Sequence, residues 1–167
     1  RFDKKKDDMR YLKFQFLIFS LGIGHLLNAQ ILGVGGKLDK EVMFQASFNV
    51  PIIMSKDVPY DVAFGVDYTT KNNHMPSGLQ LQSTGMYFFH ENSSQSRLVS
   101  VGLTAGYLFD FNTSFENQFR LSPHFYAEFG FLYFRLGYDY YMPLDKGAPF
   151  ISMGIGGGYL FRHFKLM

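Results

Sequence analysis

The clearest feature of the chain is an alternation of apolar and polar residues that recurs from position 31 onward. In segment 131–141, Leu132 and Phe134 fall on one face of an extended strand, while Arg135 and Asp139 fall on the other. A period of two is typical of β-strands whose two faces meet different surroundings. The pattern predicts eight strands, at 31–38, 42–50, 61–68, 79–89, 99–111, 121–129, 131–141 and 150–161.

The connections between these segments are short and contain turn-forming residues. None is longer than about ten residues, so each strand is expected to pair antiparallel with its sequence neighbour. The 20 Phe, 11 Tyr and 17 Gly favour strands over helices, and the absence of Cys excludes disulfides and Cys-ligated zinc. The predicted fold class is therefore all-β, an eight-stranded antiparallel up-and-down barrel.

The first 29 residues differ from the rest and predict an export signal with a short upstream extension. Arg10 and Lys13 precede an apolar stretch, and Ala29 supplies a small residue for cleavage. This is the pattern of a secretory signal peptide, and its apolar core of about 14 residues is shorter than the roughly 20 of a spanning helix. Residues 30–167 are then the barrel domain. They carry 10 basic and 11 acidic residues, which gives no basic patch for nucleic acid.

The two faces of the strands predict what surrounds the barrel. One face is large, apolar and aromatic, whereas the other holds small polar residues and most of the charges. Eight strands enclose only enough room for side chains, and ionised groups there need partners. This arrangement is typical of a transmembrane barrel with lipid outside and a polar lumen. The predicted lumen network is Asp61, Asp67, Asp110, Glu128, Arg135, Asp139 and Arg162, with the two arginines facing Glu128, Asp110 and Asp139.

Aromatic residues near strand ends are predicted to form the girdles that such barrels place at the two membrane interfaces. The candidates are Tyr68, Tyr87, Phe88, Phe89, Phe109, Phe111, Tyr138, Tyr140 and Tyr141.

Together, the export signal, the Gly- and Tyr-rich alternating strands and the aromatic last strand resemble the small outer-membrane β-barrels of Gram-negative bacteria, the OmpA-like and porin-like superfamily. The resemblance is one of architecture and covers residues 30–167. It implies a bacterial outer-membrane location, contact with outer-membrane lipid, and a structural, adhesive or envelope-assembly role with another envelope protein as a candidate partner. The filled lumen argues against a wide solute pore, and no cofactor is expected.

Two other functions fit parts of the sequence. A secreted soluble barrel would bind a small apolar ligand, although the chain has no Trp for the Gly-x-Trp start expected of lipocalins. An outer-membrane lipid-modifying hydrolase would use Ser122, His124 and Glu128, which share one strand face. A serine nucleophile needs a histidine within hydrogen-bond reach, but positions two apart on a strand are about 6.5–7 Å apart. We therefore favour a polar lumen role for these three residues. The five His show no metal-ligand spacing.

Overall fold

The computed structural model describes residues 31–53, 57–92, 97–111 and 115–157. Each strand pairs antiparallel with the next, and the first also pairs with the last, so the sheet is a closed barrel. The predicted eight-stranded up-and-down barrel is confirmed. The predicted signal segment 1–29, Arg162 and the predicted end of the last strand lie outside the described residues. The strands are β1 (Ile31–Leu38), β2 (Val42–Ile53), β3 (Tyr60–Thr69), β4 (Gly78–Asn92), β5 (Arg97–Asp110), β6 (Gln118–Phe129), β7 (Leu132–Met142) and β8 (Lys146–Gly157).

Two strands begin three or four residues earlier than the sequence pattern predicts. β6 begins at Gln118, and β8 begins at Lys146 in a stretch that its prolines mark as a turn. Pro149 nevertheless pairs with Tyr138 in the ladder and points outward. Proline removes one ladder donor but fits an extended backbone, so the strand continues through it.

The interior contains a polar middle and an apolar cluster at each end. At the N-terminal end of the barrel, where β1 begins, the cluster consists of Ala63, Met86, Phe88, Leu98, Tyr126 and Tyr133. At the opposite end, which we call the loop end, it consists of Met75, Leu108, Tyr141 and Ala148, with Leu144 packed against it.

Two of the predicted girdle residues belong to these inner clusters, so their assignment was wrong. Phe88 is 4% exposed and Tyr141 is 1% exposed. The alternation explains both positions: Phe88 follows buried Met86 by two residues, and Tyr141 follows buried Asp139 by two residues. The period of the strand, rather than the aromatic character of the residue, decides which way the side chain points.

Glycines allow close approach at the seam between β1 and β8. Gly35 pairs with Gly154 across this seam. A methyl group on Gly35 would meet the carbonyl oxygen of Met153 and lie 2.6 Å from the Cα of Gly154. Side chains at this pair would push the two strands apart, so the sequence places residues without Cβ where the barrel closes.

Candidate functional site

The middle of the lumen holds a buried group of two cations and two anions, which we call the central charge cluster: Lys37, Asp67, Arg120 and Asp139. The Lys37 ammonium contacts the Asp139 carboxylate. The guanidinium of Arg120 lies 3.1 Å from Asp67 Oδ2 through Nη2 and 3.6 Å from Asp139 Oδ2 through Nη1. All four side chains are almost inaccessible to solvent. Equal numbers of opposite charges offset the free energy of removing them from water.

Neutral side chains complete the hydrogen bonding of the two carboxylates. Gln45 Nε2 donates to both oxygens of Asp67 at 2.9 Å, and the Ser152 hydroxyl donates to Gln45 Oε1 at 2.6 Å. The Ser122 hydroxyl donates to Asp139. Together with the charged residues, these groups come from six of the eight strands. The cluster therefore ties most of the barrel wall together across the lumen.

The predicted lumen residues occupy different positions within this interior. Asp61, Asp67, Glu128 and Asp139 are buried, whereas Asp110 and Arg135 are half-buried. Arg162 lies outside the described residues.

For two of these acids, the partners found among the described residues do not include Arg135, one of the two arginines that the sequence analysis assigned. Asp139 contacts Lys37 and Arg120 rather than Arg135. Asp110 accepts hydrogen bonds from the backbone N–H groups of Ser77, at 3.0 Å, and Phe115, at 3.3 Å.

Lys37 and Arg120 were missed by the sequence analysis although they carry the positive charge of the cluster. Lys37 lies in a Gly-rich strand with weak alternation, and Arg120 lies just before the predicted start of its strand. Extending the polar face of β6 backward from His124 and Ser122 reaches Arg120 and Gln118, so the alternation itself was the available signal.

The three catalytic candidates lie on the inner face of β6 and are buried. The Ser122 hydroxyl donates to Asp139, and His124 donates from Nδ1 to the backbone carbonyl of Ser122 at 2.9 Å. Glu128 Oε2 accepts a hydrogen bond from the Tyr126 hydroxyl at 2.7 Å. The imidazole thus bonds the carbonyl of Ser122 rather than its hydroxyl, and this is not the nucleophile–base contact of a serine hydrolase.

A cavity of about 40 Å³ lies in the lumen and extends toward the N-terminal end. Among the described residues, its lining mixes polar side chains with Leu32, Met86 and aromatic rings, and it includes no Asp or Glu. The polar side chains on its wall include Asn49, Gln82, Thr84, His124, Tyr133 and Arg135.

The connection between β3 and β4 folds over the loop end of the barrel. Asn72 is fully buried there, accepts the backbone N–H groups of His74 and Met75 through Oδ1, and donates from Nδ2 to Asp39 at 2.6 Å. Its own backbone N–H donates to the Ser77 hydroxyl at 2.8 Å. Buried Met75 packs into the apolar cluster below. This connection therefore covers the lumen at that end.

On the outer side of the same connection, Asn73 donates from its backbone N–H and its side chain to the Glu41 carboxylate, each at 3.2 Å. These donors stabilise the charged carboxylate and lower the pKa of Glu41 below its ordinary value.

The outer surface of the barrel is apolar. Among the described residues, 28 large apolar or aromatic side chains are exposed, and all eight strands contribute to them. The exposed Lys, Arg, Asp and Glu residues of the described strands are Arg97 and Lys146, and each is the first residue of its strand. Outward tyrosines lie toward the ends: Tyr60 and Tyr87 at the N-terminal end, and Tyr68, Tyr107 and Tyr138 at the loop end.

No protein-family model matches the chain, and no curated protein or solved structure matches it either. Over the described ranges, no helix is long and apolar enough to cross a membrane. Nor do the described side chains include three or more His, Cys, Asp or Glu grouped so as to hold a metal ion.

Proposed function

We propose that the chain is an integral β-barrel protein of a bacterial outer membrane, delivered by its N-terminal export signal. The observation that carries this proposal is the reversal of polarity between the two sides of the barrel wall. Among the described residues, 20 buried side chains are polar or charged and 13 are apolar, while the exposed strand surface is apolar. Soluble monomers rarely expose apolar patches of more than a few hundred Å², whereas lipid requires such a surface.

The closed sheet supports the same proposal. Every strand pairs on both sides, so the wall has no free edge. In hydrocarbon an unpaired backbone group costs several kcal/mol, and a closed barrel is the β-structure that avoids this cost. The outward tyrosines toward each end of the wall suit the two interfaces of a bilayer.

Within the membrane we propose a structural, adhesive or envelope-assembly role rather than passage of large solutes. The central charge cluster crosses the lumen, and the β3–β4 connection covers its loop end. The described interior leaves a cavity of about 40 Å³, which is enough for a few water molecules. Outer-membrane lipid is the proposed surrounding, and another envelope protein is the proposed partner.

Membrane extraction tests this proposal. The protein is expressed with its export signal in a Gram-negative host, the membrane fraction is washed with alkaline carbonate, and boiled and unboiled samples are compared by gel electrophoresis in dodecyl sulfate. Retention in the washed membrane, together with faster migration of the unboiled sample, is expected for a closed barrel embedded in lipid. A protein released by the wash, with equal mobility in both samples, would overturn the proposal and favour a secreted soluble barrel.

A further inference from the structure

Arg135 differs from the other two described cations of the lumen. Lys37 and Arg120 are paired with carboxylates. Within the described part of the chain, Arg135 forms no ion pair, and its buried Nε atom has no protein acceptor. Its guanidinium carbon lies 5.8 Å from the ring centre of Phe150, whose π-face attracts a cation but does not accept its N–H groups as a carboxylate would. No described carboxylate therefore lies within ion-pair distance of this half-buried charge.

The same arginine lines the cavity described above. None of the described side chains on the cavity wall is acidic, so no carboxylate on that wall offsets the charge of the guanidinium. Gln82 donates from Nε2 to Asn49 Oδ1 at 3.0 Å, which leaves the NH₂ group of Asn49 as a further donor on the wall. An unpaired cation and a neutral donor beside a small, partly open space are groups that can hold an anion.

We propose that this cavity binds a small monovalent anion, with Arg135 as its counter-charge and the amide of Asn49 as a neutral donor. Each water-sized centre takes about 10–15 Å³, so a volume of about 40 Å³ holds a halide or formate ion with one or two waters. A large organic anion such as gluconate does not fit. The proposal concerns the lumen and does not depend on whether lipid or water surrounds the barrel.

An anion at this position supplies a contact that the described carboxylates do not give Arg135. The central charge cluster is neutral by itself, and the other two buried acids, Asp61 and Glu128, form no ion pair with Arg135 within the described part of the chain. Leaving such a charge unpaired in a low-dielectric interior is unfavourable, and a bound anion removes the penalty. Occupancy of the cavity is therefore expected to stabilise the folded barrel.

The test is a chloride titration of the folded protein followed by the arginine Nε–H signals in ¹⁵N nuclear magnetic resonance. Gluconate replaces chloride so that ionic strength stays constant. One arginine signal is expected to move, or to be replaced by a new signal, in a saturable manner. The Arg135→Gln variant is expected to lose this response, whereas Arg97→Gln keeps it because Arg97 is exposed at the start of β5.

The thermal unfolding midpoint gives a second measurement on the same samples. Chloride is expected to raise it saturably in the wild type and in Arg97→Gln, because a ligand of the native state stabilises that state. If Arg135→Gln does not fold, bromide diffraction from wild-type crystals decides the question: an anomalous peak beside Arg135 supports the site. The proposal is overturned if the wild type shows no saturable response, if the response persists in Arg135→Gln, or if crystals show water alone in the cavity.

Discussion

Asp139 is the residue on which the central charge cluster depends most. Its carboxylate contacts Lys37 and Arg120 and accepts the hydroxyl of Ser122. The Asp139→Asn variant keeps the shape of the side chain but leaves a buried excess of positive charge. We expect this variant to lose about 3–5 kcal/mol of unfolding free energy, as when one partner of a buried ion pair is removed.

Urea unfolding of the refolded barrel measures this loss, and Asp145→Asn is the matched control. Asp145 is exposed in the turn before β8 and has a φ of 51°, which Asn tolerates. Its replacement is expected to change stability by about 0.5 kcal/mol or less. Similar losses in the two variants would show that the cluster contributes no more to stability than a surface charge.

The same cluster shows what sequence reasoning can reach at the scale of single residues. The alternation places Asp67 and Asp139 on the inner face of their strands. It does not identify their partners, because Lys37 and Asp139 are 102 positions apart and meet only when the barrel closes. Arg135 illustrates the same limit, since the sequence assigns it carboxylate partners and the structure places it beside Phe150.

At the scale of elements, the β1–β8 seam is the contact that converts a sheet into a barrel. We expect Gly35→Ala to destabilise the barrel by about 1–3 kcal/mol, the usual effect of forcing extra volume into a packed contact. The added methyl group would clash with the backbone of β8. Gly36→Ala is the matched control, because its methyl group would lie no closer than 3.8 Å, from Met43 O.

Gel electrophoresis of samples heated to a series of temperatures measures closure of this seam. The fraction of protein that still migrates fast is the fraction in which the barrel is closed. Gly35→Ala is expected to lose the fast form at a lower temperature than the wild type, whereas Gly36→Ala is not. A common melting temperature for all three proteins would contradict a packing role for the glycine pair.

The β3–β4 connection gives a second prediction for elements, because one buried side chain organises it. We expect Asn72→Ala to destabilise the protein by about 2 kcal/mol, since Ala cannot replace the hydrogen bonds of the Asn72 side chain to Asp39 and to the backbone N–H groups of His74 and Met75. Asn73→Ala, its exposed neighbour, is expected to change stability by about 0.5 kcal/mol or less. Hydrogen exchange of the Met75 amide measures the local effect, and equal exchange in both variants would show that Asn72 does not hold the connection.

The positions of the strands could be predicted from the sequence, whereas the residues at which they begin and end were predicted less accurately. Period-two alternation extends over many residues, so it marks most of the strands clearly and only the Gly-rich β1 weakly. Turn-forming residues suggested the wrong strand ends where the closed barrel gives a strand partners on both sides, as at Pro149 in β8. The inward fold of 70–77 has no periodic signal, since a single Asn and a single Met determine it.

At the scale of the whole molecule, the sequence and the structure agree on where the polar and the apolar side chains lie. The faces that the alternation separates become the inside and the outside of one closed wall. What surrounds that wall is a separate question. The role of a barrel with an apolar exterior depends on whether lipid or water covers it. A single charged substitution on the outer face distinguishes lipid from water.

Leu103 is the position for this test, because it lies at the middle of β5 and points outward with 48% exposure. In a bilayer, Leu103→Arg puts a cation near the midplane, and we expect a loss of about 2–4 kcal/mol in unfolding free energy. Val42→Arg is the matched control, because Val42 is 80% exposed at the first position of β2 and an interfacial arginine costs about 0–1 kcal/mol.

The measurement is denaturant unfolding of both variants in lipid vesicles. If water covers the barrel, both substitutions fall on a wet surface and change stability by about 0.5 kcal/mol or less. Equal, small effects would therefore contradict the membrane proposal, whereas a loss confined to Leu103→Arg would show that hydrocarbon surrounds the middle of the wall.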